Sequence, residues 1–172
     1  LVSNTSSVTS GSITYSWSFP GGSPSTSSSR NPSVSFSSPG TYPFTLIAQT
    51  ANGCSDTLSR NVIVHPQPQA VFVAPHACVG SSLQFTNGSI GNTGDTVSSV
   101  LWTFPGGVPA VSSTFNPSVY FSSPDTVTVQ LIATNQSGCR DTVTHPVVIT
   151  PNPTAGFLAS SYCFGPSLQL QN

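Results

Sequence analysis

Polar and apolar residues alternate along this chain in short runs, and no stretch shows the three-to-four spacing of a helix. The run "DTVTVQLIATN" (125–135) places Val127, Val129, Leu131 and Ala133 on one side of a strand. "TYPFTLIAQT" does the same with Tyr42, Phe44, Leu46 and Ala48. "SLQFTN" alternates Leu83 with Phe85, and "SVLWTF" alternates Val100, Trp102 and Phe104. The runs "TLSRNVIVH" and "TVTHPVVIT" alternate through Val62 and Val64, and through Val147 and Ile149. Between them stand turn signals, "PGG", "NPS", "SSPG" and "NG". About seven short strands in roughly 85 residues, without helical periodicity, predict an antiparallel β-sandwich.

The pattern then repeats. Trp17 and Trp102 stand 85 positions apart, and the same offset carries Pro32 to Pro117, Gly53 to Gly138 and Cys54 to Cys139. It also carries Phe72 to Phe157, Cys78 to Cys163 and Leu83 to Leu168, in a register that reads as free of gaps. The register predicts a complete domain over 67–151, a domain over 1–66 lacking its first two strands, and those two strands over 152–172. The connectors "HPQPQA" and "TPNPTA" each carry two prolines two residues apart and read as short, stiff and extended. A connector of five residues reaches at most roughly 17 Å, so 152–172 is not expected to return across a whole domain to complete 1–66. Completion is expected from a neighbouring copy, head to tail, either within a longer covalent array or by strand donation between subunits. Such a contact does not close on itself and builds a fibre.

Composition narrows the chemistry. Charged residues are 4% of the chain and the formal net charge is −1, which gives nucleic acid or an anionic membrane surface no electrostatic hold. No apolar run approaches the roughly 20 residues of a membrane-spanning helix, so membrane insertion is not expected. His76 and Cys78 form half of a metal-ligand pattern with no second pair nearby in sequence, and no cofactor is expected. There is no G-x-S-x-G elbow, and the only carboxylates are four scattered aspartates, so enzyme activity is not expected. Trp17 and Trp102, each with apolar neighbours two positions away, read as core residues.

The segments "YSWSFPGG…NPSVSFSSPGTYPFTLIAQTANGCSDT" and "VLWTFPGG…NPSVYFSSPDTVTVQLIATNQSGCRDT" resemble the polycystic kidney disease (PKD) domain. The variety they resemble occurs in tandem on secreted and surface proteins of Bacteroidota. The resemblance implies an all-β fold of tandem immunoglobulin-like sandwiches in an extended array, outside the cell, serving as spacer, adhesive or interaction module. Where better-known PKD domains carry acidic residues after the Trp strand, this chain has Pro20 and Pro105, so no calcium site is carried over.

The resemblance also implies a disulfide between Cys78 and Cys139 within the chain. The leftover Cys54 and Cys163 are then expected to pair between neighbouring copies. All four aspartates precede Thr and then an aliphatic residue. In proteins of the kind resembled, that sequence takes O-glycans, which makes Thr57, Thr96, Thr126 and Thr142 candidate sites. The structural alternative is that Asp and Thr open strands after turns. Two functions stay open: a structural or adhesive segment of a surface stalk or filament, and a carbohydrate-binding accessory module of a secreted hydrolase. Surface glycans are candidate partners of either. Tyr120 and its counterpart Ser35 differ, which argues against a sugar platform retained in both repeats.

Overall fold

The β-branched and aromatic alternation does become strand. The structure, a computed structural model, describes residues 3–74 and 76–157. Among these there are fourteen strands and no helix. Cys163, Leu168 and most of the strand pair expected over 152–172 lie outside the described residues.

Four strands form the first sheet: β1 (Ile13–Ser18), β2 (Thr26–Ser27), β3 (Gly40–Thr50) and β4 (Ser55–Val64). They lie in the order β2-β1-β3-β4, antiparallel throughout. Trp17 stands opposite Leu46, and Leu46 opposite Leu58. Period-2 geometry gathers Trp17, Phe19, Phe44 and Leu46 into one apolar cluster, with Tyr15, Val34, Phe36, Tyr42 and Val62 half-buried against it. Among the described residues no second sheet packs on this cluster; an isolated bridge joins Ser23 to Ser35.

The later strands are β5 (Phe72–Val73), β6 (Ala77–Cys78), β7 (Ser82–Gln84), β8 (Thr86–Asn87) and β9 (Val97–Thr103). They continue through β10 (Gly107–Val108), β11 (Val111–Ser112), β12 (Ser118–Phe121), β13 (Asp125–Asn135) and β14 (Arg140–Thr150). They form a five-stranded sheet, β11-β9-β13-β14-β6, a three-stranded sheet, β10-β12-β7, and a separate two-stranded pair, β5-β8. Val127, Val129, Leu131 and Ala133 are all buried, as are Leu83, Phe85, Trp102, Phe104, Val119 and Phe121. Phe72 and Phe85 close over Trp102, with ring centroids 5.2 and 5.8 Å away. One pairing departs from the expected antiparallel pattern: β6 runs parallel to the end of β14. The two strands are distant in sequence, so no tight hairpin forces them antiparallel.

The chain forms two compact units. One comprises the chain up to Gln69 with Ile90–Ser98 and Thr134–Asp141; the other comprises Ala70–Ser89, Ser99–Ala133 and the chain from Thr142 on.

Hydrogen bonds repeat with the sequence. Trp17 Nε1 donates to Ser29 O at 3.0 Å, and Trp102 Nε1 to Thr114 O at 3.0 Å. The gap-free register, however, needs a correction near its start. Asn87 N donates to Asn116 Oδ1, and Asn87 Oδ1 accepts from Ser89 N. The same two bonds are made by Asn4, to Asn31 and from Ser6. Asn4 thus corresponds to Asn87, 83 positions on, while the tryptophans are 85 apart. The loop between Asn4 and β1 is two residues shorter than its counterpart.

Candidate functional site

The first feature is an open apolar face. Where Phe72 and Phe85 cover Trp102, nothing equivalent among the described residues covers Trp17. A groove of about 280 Å³ runs there, lined by Trp17, Phe44, Leu46, Leu58, Arg60 and Val62, with Ser3–Ser6 along its side. Exposure follows the missing cover. Leu58 is 51% exposed, and Val62 and Val64 are only half-buried where their counterparts Val147 and Ile149 are buried. Asn4, on the wall of the groove, is buried with its Nδ2 lacking a hydrogen-bond partner. A buried amide donor without an acceptor carries a desolvation cost on the order of 1–3 kcal/mol.

The second feature is the hold on the connector after β4. Pro66 O accepts from Asn135 Nδ2 at 3.0 Å, and Gln67 O from Asn92 Nδ2 at 2.6 Å. Gln69 and Ile90 exchange backbone bonds in both directions. Asn135 also donates to Asp95 Oδ2 at 2.9 Å and accepts at Oδ1 from Cys139 N at 2.7 Å. Asp95 is 6% exposed and Asn135 1%, so each satisfies a polar group that burial would otherwise leave unpaired. His65 lies alongside, its Nδ1 2.9 Å from Ser137 Oγ and 3.9 Å from Asp95 Oδ2. The connector that the prolines make stiff is therefore also fastened.

The cysteine pairing within the chain is overturned. Cys54, Cys78 and Cys139 are free thiols. Cys78 belongs to β6 and stands opposite Thr150, the last residue of β14. Cys139 directly precedes Arg140, the first residue of the same strand. Eleven residues of strand put roughly 33 Å between those ends at about 3.3 Å per residue, whereas a disulfide needs Cα atoms about 4.4–6.8 Å apart. The family resemblance had placed both cysteines in one domain without regard to which end of the sandwich each occupies. Cys54 is exposed at the turn after β3, and its expected partner Cys163 lies outside the described residues.

Thr57, Thr96, Thr126 and Thr142 are all exposed. Their aspartates differ. Asp56 and Asp125 each accept from the amide of the following Thr, at 2.9 and 2.7 Å, the local bond that favours Asp at a strand's opening turn. Asp95 instead belongs to the buried hold on the connector. Trp17 and Trp102 are 6% and 0% exposed. His76 and Cys78 gain no further ligands: no group of three His, Cys, Asp or Glu is found among the described residues. Sequence reasoning missed Asn135 and Asn92, although Asn135 breaks the apolar series 127, 129, 131, 133 at its inward end. That was the available signal.

Residues 2–64 match the PKD domain family. This is the open-faced part of the chain and its first sheet. No curated protein matches the chain. Among solved structures, the PKD1 domain of Vibrio anguillarum Epp is 22% identical over 52% of this chain and 100% of its own, with a TM-score of 0.46. The PKD1 domain from the Vibrio cholerae metalloprotease PrtV is 22% identical over 49% of this chain and 99% of its own, at 0.43. The fibronectin(III)-like modules of Clostridium thermocellum CbhA are 12% identical over 86% of this chain and 83% of theirs, at 0.48. The described residues are all-β, with no helix among them.

Proposed function

We propose that this chain is a non-catalytic extracellular structural module, part of a tandem head-to-tail array of PKD-type sandwiches. Its open first sheet is covered by residues 157–170 of a neighbouring copy. The observation that carries this reading is the groove along the Trp17 cluster, which leaves Leu58 exposed and Val62 half-buried, whereas the counterpart of Val62, Val147, is buried. The residues that cover Trp102, Phe72 and Phe85, belong to 72–85, and the 85-residue offset maps 72–85 onto 157–170. The mapped segment offers Phe157, Leu168 and Leu170 as apolar side chains, and Phe157 is 82% exposed. A donated strand also brings backbone carbonyls, the acceptor that Asn4 Nδ2 lacks.

Sedimentation velocity across a range of concentrations tests the reading. The native chain is expected to form progressively longer species, and Leu168→Asp with Leu170→Asp to stay monomeric with unchanged β-sheet circular dichroism. A native chain that remains monomeric at high concentration, or a double variant that assembles as well as the native chain, sinks it.

A further inference from the structure

We propose that consecutive repeats in such an array are joined by a disulfide across each connector, between a Cys78-type thiol of one repeat and a Cys139-type thiol of the next. The inference rests on the array reading above and adds a covalent bond to it. His65 and Thr150 are the same repeat position, 85 residues apart, each at the start of a Pro-rich connector. At His65 the structure shows what the downstream repeat brings: the Cys139 thiol lies 3.8 Å from His65 O. At Thr150 it shows what the upstream repeat brings: the Cys78 sulfur lies 3.7 Å from Thr150 Oγ1. Overlaid on one connector, the two contacts set both sulfurs against a single residue.

Each cysteine is also held in place. The Cys139 amide donates to buried Asn135 Oδ1. Beside Cys78, Thr150 Oγ1 donates to Ala77 O at 2.8 Å, and Val79 N donates to Thr150 O at 2.9 Å. Cys78 is exposed and Cys139 half-buried, so an oxidant reaches the pair. Formation is a thiol–disulfide exchange with an oxidised dithiol oxidoreductase: the two thiols lose two protons and two electrons to form S–S, and the oxidoreductase's disulfide takes them up as two thiols. Cys54 is the Cys139-type residue of the first repeat, its carbonyl accepting from Thr50 N as that of Cys139 accepts from Asn135 N. Between copies of this chain the bond therefore joins Cys78 of one to Cys54 of the next.

The test inserts a second copy of 67–151 after Pro151 of the full chain. Cys139→Ser is made in the first copy and Cys78→Ser in the second. After oxidation, peptide mapping without reductant should give one peptide pair linking Cys78 of the first copy to Cys139 of the second. Free, alkylatable thiols at both positions in a folded insert overturn the disulfide and leave the array standing. An insert whose β13 amides show no protection from hydrogen exchange overturns the array reading and the disulfide with it. In the 172-residue chain, oxidation of concentrated protein should give a Cys78–Cys54 link between copies. A Cys78–Cys139 link within one chain overturns the proposal.

Discussion

The Asn135 side chain makes hydrogen bonds from a site 1% exposed to Pro66 O, to Asp95 Oδ2 and from Cys139 N. Thr50, its counterpart, is half-buried, and its side chain makes a local bond to Cys54 O. Asn135→Thr should cost on the order of 2 kcal/mol, because it removes the donor to the half-buried Pro66 carbonyl and to the buried Asp95 Oδ2, leaving Asp95 only the Ser137 amide at Oδ1. Urea unfolding of the variant measures it, and a loss under about 1 kcal/mol would show that water replaces the amide. Asp95→Ala should be similarly costly and less than additive with Asn135→Thr, since the two share one bond. At this scale the sequence was half legible. A polar residue ending an apolar inward series marks a site, but the partners lie 40 and 69 positions away and carry no local signal. Asp95, read with Thr96 and Val97 as a modification motif, belongs to that same hidden cluster.

At the scale of elements, the long alternating runs were legible and the two-residue strands were not. β3, β4, β13 and β14 follow directly from period-2 alternation, because ten or eleven residues give the period room to show. Strands β5, β6, β8, β10 and β11 have two residues each and no period at all; their place is set by the partner strand. The parallel β6 was invisible for the same reason, and with it the position of Cys78. The hairpins were legible through their glycines. Gly53 and Gly138 close the turns at φ of 84° and 82°, where a Cβ is strained, so Gly138→Ala should cost about 1 kcal/mol by urea unfolding. No measurable loss would mean that the turn relaxes out of the left-handed region. The paired sheets give a sharper contrast. Trp102→Ala empties a site closed by Phe72, Phe85 and Phe104 and should cost about 3–5 kcal/mol. Trp17→Ala in the isolated chain should cost visibly less, because one side of Trp17 borders an open groove. Equal losses would mean that the groove is closed in solution.

For the molecule as a whole, the groove makes stability depend on assembly. The first sheet buries its cluster on one face only and leaves Leu58 exposed, Val62 half-exposed and Asn4 Nδ2 unpaired. The residues around Trp102 are enclosed by two sheets and the β5-β8 pair. Two unequal transitions are therefore expected on heating. Protection from hydrogen exchange should be lost first in β1, β3 and β4, and later in β12 and in β13 around Leu131. An occupant that binds only the folded first sheet stabilises it by mass action. The lower transition should then rise with protein concentration while the upper one stays fixed, and Leu168→Asp with Leu170→Asp should remove the rise without moving the upper transition. Oxidation sharpens the result: a Cys78–Cys54 bond between copies makes the donor part of the same covalent molecule, so the lower transition should lose its concentration dependence and regain it on adding reductant. A lower transition that ignores concentration in both redox states would mean that the Trp17 face is stable without a partner, and the open sheet would then be a finished surface rather than a socket.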